Sequence, residues 1–366
     1  MNYNFDNKVH AWGYFSEEYL QQNKEKLLTL DIDFGANCSL NCPHCFRRKN
    51  KVDEIGKTLL TSGEILEILK QGKELGLESV KFLGAGEPFE EPQFIDFLEE
   101  LQKLNIKASI FTKGHVLGDN NLARKYFSHK GINSALDLCE RIKALDASIL
   151  LGFNSISASI QDRMVGNIQG YTAKRNKALE NLIKSGFNKE KPTRLALILA
   201  PLTKENYDEA FWMYIFARSI NALPFITTPM VSGRCSNNEY LERIKVNEEE
   251  LIELYVKINK YNIEQGLQTL AQLKKEGISI YAGVHPCNQI ACGMYLTLNG
   301  TVLRCPGDDV TVFGNVKEKS LKEIWENSEN FKRTGTFNCG CPPKEGITLP
   351  KNLQSEVLKR LEKEFG

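Results

Sequence analysis

The protein has 366 residues, of which 42% are hydrophobic and 25% are charged, and its formal net charge at pH 7 is +1. This composition is typical of a folded chain with a sizeable core and excludes a disordered or fibrous one. A charge so close to zero provides no general attraction for nucleic acid, and no apolar run is long enough to span a membrane. We therefore expect neither as a partner.

The cysteine content and the start of the chain indicate the cellular compartment. There are ten cysteines, and residues 1–14 lack the apolar core and the cleavage site of a signal peptide. Disulfides are rare in the cytoplasm, so this many cysteines in such a chain favour metal or redox chemistry. We therefore expect a cytoplasmic protein whose thiolates bind metal.

Strand-like and helix-like segments alternate along the first part of the chain. Strands are predicted at 28–34, 79–83, 107–112, 149–160, 194–199 and 224–228, with helices at 93–104, 133–145, 172–185 and 206–220 and one more beginning at Thr61 or Ser62. Such alternation is typical of right-handed βαβ units and a parallel sheet. It predicts an α/β fold, a partial (β/α)6 barrel, whose active site gathers at the carboxyl ends of the strands.

Three cysteines follow the first predicted strand. Cys38, Cys42 and Cys45 have the spacing C-x3-C-x2-C. Three thiolates on one loop can hold a four-iron cluster and leave one iron without a protein ligand. A structural zinc site is the alternative, but it needs a fourth ligand, and His44, between two of the cysteines, is awkwardly placed to provide one.

Two further motifs end later strands. Gly84-Ala85-Gly86-Glu87-Pro88 closes the second strand, where glycines let the backbone approach a ligand closely and Glu87 can accept a hydrogen bond. Ser157 and Ser159 stand at the end of the segment predicted as the fourth strand. All three motifs are expected to face one pocket.

Together these motifs resemble those of the radical S-adenosylmethionine (SAM) superfamily. The resemblance implies a [4Fe-4S] cluster with an open iron on the three cysteines, and a SAM molecule bound to that iron. It implies cofactor contacts from the backbone of His44, from Gly84, Gly86 and Glu87, and from Ser157. Ser159 stands where the family often has an acidic residue. Arg163 and Arg175 are candidates both for the SAM carboxylate and for a surface role.

A second cysteine set lies near the C-terminus. Segments 294–298 and 301–304, joined by Asn299-Gly300, predict a hairpin that can bring cysteines at its two ends together. The region resembles the SPASM and twitch domains, which carry auxiliary iron–sulfur clusters. We expect one auxiliary cluster on Cys287, Cys305, Cys339 and Cys341, with a zinc knot as the alternative.

Three cysteines fall outside the expected ligand sets. Cys292 is either a fifth ligand or a buried thiol, and we favour the thiol. Cys139 and Cys235 are expected in the core, with a hydrogen-atom donor as the alternative for each.

These segments predict five parts of the chain. They are an N-terminal extension (1–27), a radical SAM core (28–233), a helical bridge (234–284), an auxiliary-cluster module (285–345) and a C-terminal helix (346–366).

The leading hypothesis is an enzyme that reductively cleaves SAM to a 5′-deoxyadenosyl radical, which then abstracts a hydrogen atom from a substrate. The reaction is either modification of a peptide or protein, or oxidation or rearrangement of a sugar-type small molecule. The electron comes from a reductant such as flavodoxin or ferredoxin. The alternative is a cluster-based redox or sensing protein that does not turn SAM over.

Overall fold

The computed structural model describes residues 8–47 and 59–366, so the predicted features that fall on 1–7 and 48–58 lie outside the described part. The described residues form one sheet of nine strands. The strands are β1 (Thr29–Asp33), β2 (Ser79–Gly84), β3 (Lys107–Thr112), β4 (Ala147–Gly152), β5 (Leu195–Leu199), β6 (Leu223–Ile226), β7 (Gly293–Leu296), β8 (Thr301–Leu303) and β9 (Val312–Asn315).

Helices connect these strands and cover the sheet. They are α1 (Glu17–Gln22), α2 (Ser62–Glu74), α3 (Phe94–Lys103), α4 (Asn120–Phe127), α5 (Ala135–Ala144), α6 (Ala158–Met164), α7 (Tyr171–Lys184), α8 (Tyr207–Ser219), α9 (Asn238–Ile244), α10 (Glu248–Glu264), α11 (Leu270–Glu276), α12 (Gln289–Cys292), α13 (Leu321–Glu326), α14 (Glu329–Lys332) and α15 (Leu353–Phe365). None of the helices in the described part has both the length and the apolar character needed to cross a membrane.

The first six strands are parallel neighbours in sequence order, from β1 to β6. This order confirms the predicted α/β fold with a parallel sheet of six βα units. The residues of β4 and β5 are buried along their whole length. Burial on both faces is expected when helices flank a parallel sheet.

The prediction of one long strand over 149–160 is wrong. Strand β4 ends at Gly152, and helix α6 begins at Ala158. The backbone N–H groups of Asn154 and Ser155 donate to the side-chain oxygen of Gln161, at 2.8 and 3.1 Å. This local hydrogen bonding turns the chain away from the sheet, and the apolar run alone did not reveal it.

The C-terminal hairpin extends the same sheet. Strands β7 and β8 are antiparallel, as predicted for the hairpin, and β9 adds a strand that was not predicted. Strand β7 also pairs in parallel with β1, with Leu30 opposite Met294. The free edge of the barrel sheet is thereby covered, which removes an exposed row of backbone hydrogen-bonding groups.

The N-terminal segment crosses the base of the barrel. Val9 forms a bridge to Thr193, just before β5. The carbonyl oxygen of His10 accepts hydrogen bonds from Ser109 and Ser148 on β3 and β4, at 3.3 and 2.7 Å. Two residues further on, the ring of Trp12 packs against Phe225 of β6 and lies under the ammonium of Lys81 on β2.

Candidate active site and metal centres

One pocket lies at the carboxyl ends of the parallel strands. It is lined by the thiols of Cys38, Cys42 and Cys45 and by the turn from Gly84 to Glu87. Further lining comes from the ends of β3, β5 and β6. The structure therefore brings the first two predicted motifs together, because both follow strands of the same parallel sheet.

Burial affects the thiols of the first cysteine loop. Burial, and secondarily the nearby Glu87 carboxylate, raises the pKa of Cys38 to about 12. Burial also raises the pKa of Cys42, although the charge of Lys113 opposes that shift. At neutral pH these thiols carry their protons in the metal-free protein, so binding of a metal centre releases them.

A carboxylate holds the start of the cysteine loop. Glu90 accepts hydrogen bonds from the backbone N–H of Ser39 at 2.9 Å and from its hydroxyl at 2.7 Å. His115 lies 2.8 Å from the same carboxylate. Burial alone would raise the pKa of Glu90, but the hydrogen bonds from His115 and Ser39 lower it overall. The loop is thus fixed by a charged acceptor beside Cys38.

The glycine-rich turn packs directly on the cysteine loop. A Cβ atom at Gly86 would lie 2.4 Å from the carbonyl oxygen of Asn37, so only glycine fits there. The N–H of Glu87 donates to that oxygen at 2.7 Å. Ala85, between the two glycines, has a φ of 67°, a conformation that costs energy for a residue with a side chain.

The side chain of Glu87 forms its hydrogen bonds within the protein. It accepts hydrogen bonds from the Thr112 hydroxyl and, at 2.9 Å, from the backbone N–H of Lys113. Its burial raises its pKa, while these bonds and His115 act in the opposite direction. Glu87 therefore joins the end of β2 to the end of β3, beneath the pocket.

A segment after β6, missed in the sequence, clamps the outer side of the cysteine loop. Arg234 donates to the carbonyl oxygen of Cys42 at 2.6 Å through its guanidinium and to that of Cys45 at 2.9 Å through its backbone. The thiol of Cys235 lies 3.7 Å from the carbonyl oxygen of His44. Position at the carboxyl end of a strand was the signal that could have found this segment.

Lys113 is another pocket residue that the sequence did not single out. Lys113 follows β3, lines the pocket and is 9% exposed. Its ammonium lies 3.3 Å from the side-chain oxygen of Asn154, and no carboxylate in the described part of the chain forms an ion pair with it. A buried cation facing the cysteine loop can pair with an anionic ligand group.

Of the residues predicted to contact the cofactor, His44 lines the pocket and Ser157 does not. His44 is buried in the pocket wall, and burial lowers the pKa of its imidazole well below the usual range, so the ring is neutral. Ser157 is not among the described residues that line the pocket, and its hydroxyl lies 3.1 Å from that of Ser159. The structure therefore does not group Ser157 with the other predicted cofactor contacts.

The two candidate arginines do not reach the pocket. Arg175 is fully buried and donates to Gln161 and to the carbonyl oxygen of Ser155, both at 3.0 Å. Arg163 lies on the surface, 3.4 Å from Glu205. Arg175 thus organises the loop after β4, and the surface role considered for it is wrong.

An aromatic floor closes the inner end of the pocket. The ring of Trp12 lies 4.7 Å from that of Phe225 and 6.4 Å from that of Tyr281. Phe111 and Leu150 line the same end. Trp12 belongs to the first 27 residues, for which the sequence indicated no role, because its contact with the barrel interior depends on long-range packing.

The C-terminal cysteines gather beside the barrel. Burial raises the pKa of Cys305 well above its usual range, and the charges of Cys341 and Cys287 add to the shift. Burial also raises the pKa of Cys287, with a further contribution from Cys339. The C-terminal cysteines thus lie in one region, and Cys292 belongs to it as well, since burial raises its pKa and Cys287 and Cys339 add to that shift.

The remaining three cysteines, Cys139, Cys235 and Cys292, are all buried. Cys292 is 1% exposed, packs with Phe15 and Leu20, and donates to the carbonyl oxygen of Asn288 at 3.1 Å, as expected for a buried thiol. Cys139 lies in the main core. Cys235 is buried behind the first cysteine loop.

No site for a single metal ion is found in the described part of the chain. Within residues 8–47 and 59–366, no three histidine, cysteine, aspartate or glutamate side chains are close enough to share one metal ion. A structural zinc site needs four ligands on a single ion. In an iron–sulfur cluster each cysteine binds a separate iron, so the ligands stand further apart.

Comparison with known proteins gives one family match over each of the two cysteine sets. The family model of the radical SAM superfamily matches residues 32–212, and that of the SPASM iron–sulfur cluster-binding domain matches residues 287–345. The chain is 22% identical over 329 residues to the AdoMet-dependent heme synthase of Methanosarcina barkeri, covering 85% of each protein.

Solved structures share the fold. SuiB of Streptococcus suis bound to precursor peptide SuiA has a TM-score of 0.59 and 19% identity, over 92% of this chain and 71% of that one. The anSMEcpe structure with bound AdoMet and Kp18Cys peptide has a TM-score of 0.61 and 14% identity, over 92% and 98%. These likenesses confirm the partial barrel with a C-terminal SPASM domain.

The two family matches fall on the two sites described above. The first contains the three-cysteine loop and the glycine-rich turn, and the second contains the C-terminal cysteine set. The resident cofactors are accordingly a [4Fe-4S] cluster, SAM and auxiliary iron–sulfur binding. The chain is an enzyme of the radical SAM superfamily that carries a SPASM domain.

Proposed function

We propose that the enzyme cleaves SAM reductively and uses the resulting radical to abstract a hydrogen atom from a substrate held in the pocket. The observation that carries the proposal is that Cys38, Cys42, Cys45, the glycine-rich turn and Lys113 all line one pocket. A protein that used its clusters only for electron transfer or sensing would not need such a ligand-sized space beside them.

The cofactors would supply the difficult chemistry, and the chain would supply position. When bound, the reduced cluster provides the electron that breaks the S–C5′ bond of SAM and yields the 5′-deoxyadenosyl radical. Glu90 and Arg234 hold the cysteine loop from its two sides. Gly86 lets the end of β2 pack closely against the cysteine loop, and Trp12 lines the far end of the pocket.

We assign the SAM carboxylate to Lys113 rather than to Arg163 or Arg175. The ammonium of Lys113 faces the pocket and lowers the pKa of Cys42, so it lies within electrostatic reach of the cluster ligands. The contacts of His44, Gly84, Gly86 and Glu87 with SAM also belong to this proposal. The contact from Ser157 stays a prediction.

We favour a substrate whose reacting part is apolar. The inner end of the pocket is formed by Trp12, Phe111, Leu150, Phe225 and Tyr281. A peptide side chain that enters the barrel would meet this requirement, and the same fold binds a peptide in SuiB. An apolar small molecule is the second candidate, since the heme synthase relative matches over most of both chains.

A second metal centre and a source of electrons belong to the proposed function. We propose one auxiliary cluster on Cys287, Cys305, Cys339 and Cys341. Flavodoxin or ferredoxin would be the reductant, and the cytoplasm would be the compartment, since reduced clusters require a reducing environment. The five parts predicted from the sequence, 1–27, 28–233, 234–284, 285–345 and 346–366, are kept as proposed boundaries.

The formation of 5′-deoxyadenosine tests the proposal. The reconstituted protein is incubated without oxygen with SAM and dithionite, and the product is measured by mass spectrometry. Cys42→Ala should reduce the yield to background, because it removes a cluster ligand, whereas Cys139→Ala, a buried cysteine of the core, should leave it unchanged. Absence of the product from the protein with intact clusters would favour the redox or sensing alternative.

A further inference from the structure

A buried lysine lies between the auxiliary cysteines and the wall of the pocket. Lys344 follows Cys341 by three residues and has 0% exposure. Its ammonium donates to the Thr227 hydroxyl at 3.0 Å and to the carbonyl oxygen of Thr228 at 2.7 Å. Both threonines line the pocket just after β6. The lysine thus touches the active site from the side of the SPASM domain.

The charge of Lys344 has no protein counter-charge in the described residues. No carboxylate among them forms an ion pair with it, and both of its hydrogen-bond acceptors are neutral. Burying an ammonium costs several kcal/mol unless an anion offsets it, on the order of the penalty for any buried ion. Without a nearby anion, burial lowers the pKa of Lys344 and favours the neutral amine, so a negative group close to this position is what would keep it charged.

The groups that can provide this charge are cysteines. The backbone N–H of Lys344 donates to the carbonyl oxygen of Cys341 at 2.9 Å, which places the lysine beside the auxiliary cysteines. Burial lowers the pKa of Lys344, whereas negative charge on Cys341, Cys287 and Cys305 would raise it. As thiols they are neutral, but four thiolates around a four-iron cluster give the assembly a net negative charge. The other buried lysine near these cysteines, Lys81, already has Asp31 at 3.0 Å, so its charge is largely offset. Lys344 is thus the cation that a cluster would neutralise.

We propose that Lys344 is the counter-charge of the auxiliary cluster and a positioning residue that raises its reduction potential. This inference rests on the proposed ligand set, although not on SAM cleavage. A reduced cluster carries one more negative charge than an oxidised one, so a fixed neighbouring cation favours the reduced form. The auxiliary cluster then accepts an electron more readily, on the side where Lys344 contacts Thr227 and Thr228 of the pocket wall.

The test measures the potential of the auxiliary cluster by itself. The three cysteines of the SAM cluster are replaced by alanine (C38A, C42A and C45A), and the remaining cluster is titrated with a reductant and followed by EPR. In this background K344M should lower the equilibrium constant for reduction by at least about tenfold, which is about 59 mV for one electron. K344R should keep the potential near that of the parent.

A matched control shows whether removal of any lysine charge in the domain changes the reduction potential, or only removal of the charge of Lys344. Lys322 lies on α13 in the same domain, and 67% of its side chain is exposed. K322M should leave the potential unchanged, because solvent screens its charge. An unchanged potential in K344M would overturn the role of Lys344 and leave SAM cleavage untouched.

The iron content of each variant shows whether the auxiliary cluster is retained, and this decides the outcomes in which no potential can be measured. Loss of the cluster in K344M with retention in K344R would support the role of Lys344 as a counter-charge, because arginine keeps the positive charge and methionine does not. Loss in both variants would mean that the site requires the shape of lysine, and this would overturn the proposal. A parent without any auxiliary cluster would refute the ligand set and the role of Lys344 together, whereas 5′-deoxyadenosine formation by the intact protein is measured separately.

Discussion

Single residues decide how closely the glycine-rich turn approaches the cysteine loop. Gly86 has no room for a Cβ atom, because the carbonyl oxygen of Asn37 would lie 2.4 Å from it. Ala85 stands beside it in a left-handed conformation, with a φ of 67°. Alanine in place of Gly86 should therefore disturb the turn, whereas glycine in place of Ala85 should be tolerated.

This contrast gives a matched pair of variants. Gly86→Ala should displace the turn from the cysteine loop and reduce the iron bound per chain, while Ala85→Gly should keep the iron. Ala85→Gly relieves left-handed strain of about 1 kcal/mol, partly cancelled by the greater entropy of the unfolded chain. Iron content and thermal unfolding measure both effects. Equal iron contents in the two variants would show that the contact at Asn37 is unimportant.

The candidate ligand residues could be predicted from the sequence, but the residues that hold the cysteine loop in place could not. The spacing of Cys38, Cys42 and Cys45 predicted them as ligands once the glycine-rich turn was considered with it, because both motifs follow strands of one parallel sheet. Arg234 could not be identified in the same way, since its partners lie more than 180 residues earlier in the chain. Its importance arises from long-range hydrogen bonds, and a local pattern contains no trace of them.

At the scale of elements, an ion cluster fastens three strands at the base of the barrel. Asp146, just before β4, pairs with Lys107 on β3 and with Arg194 before β5. Burial alone would raise the pKa of Asp146, but the hydrogen bond from Lys107 and the charge of Arg194 lower it overall. The carboxylate therefore stabilises the fold when it is ionised.

The sign of this shift predicts a pH dependence. Because the folded pKa of Asp146 is depressed, its contribution is complete above the ordinary value of about 3.9 and is lost as the pH falls through the folded value. Asparagine also adopts the left-handed φ of 59° found at this position. Asp146→Asn should therefore lower the free energy of unfolding at neutral pH by about 1 kcal/mol, through loss of the ion pairs alone.

Denaturant unfolding at a series of pH values measures this contribution. The difference between the parent and Asp146→Asn should shrink as the pH falls below about 4. A difference that stayed constant over this range would show that the ionised carboxylate is not what stabilises the base.

Element types were predictable from periodicity, whereas two of their partnerships were not. Six parallel strands followed from alternation of strand-like and helix-like segments. The pairing of β7 with β1 was hidden, because the two strands are separated by about 260 residues and nothing local encodes the contact. The turn after β4 was also hidden, since Gln161 closes it by a side-chain hydrogen bond.

At the scale of the whole molecule, the two metal centres share one continuous framework. Asp309, in the loop after Cys305, accepts from the backbone N–H of Gly233 at 2.8 Å and pairs with Arg47 at 3.2 Å. Arg47 follows the first cysteine loop, and Gly233 begins the clamp on it. Lys344 makes a second connection at Thr227 and Thr228. The SPASM domain thereby forms part of the wall of the active-site pocket.

The central claim is that SAM binds an open iron in this pocket, and EPR of the reduced protein tests it most directly. Spectra are recorded with and without SAM, in the parent and in the triple variant C38A, C42A and C45A. We predict that SAM changes the cluster signal of the parent and leaves that of the triple variant unaltered, because only the first cluster has an iron without a protein ligand. A parent spectrum that does not respond to saturating SAM would contradict the account.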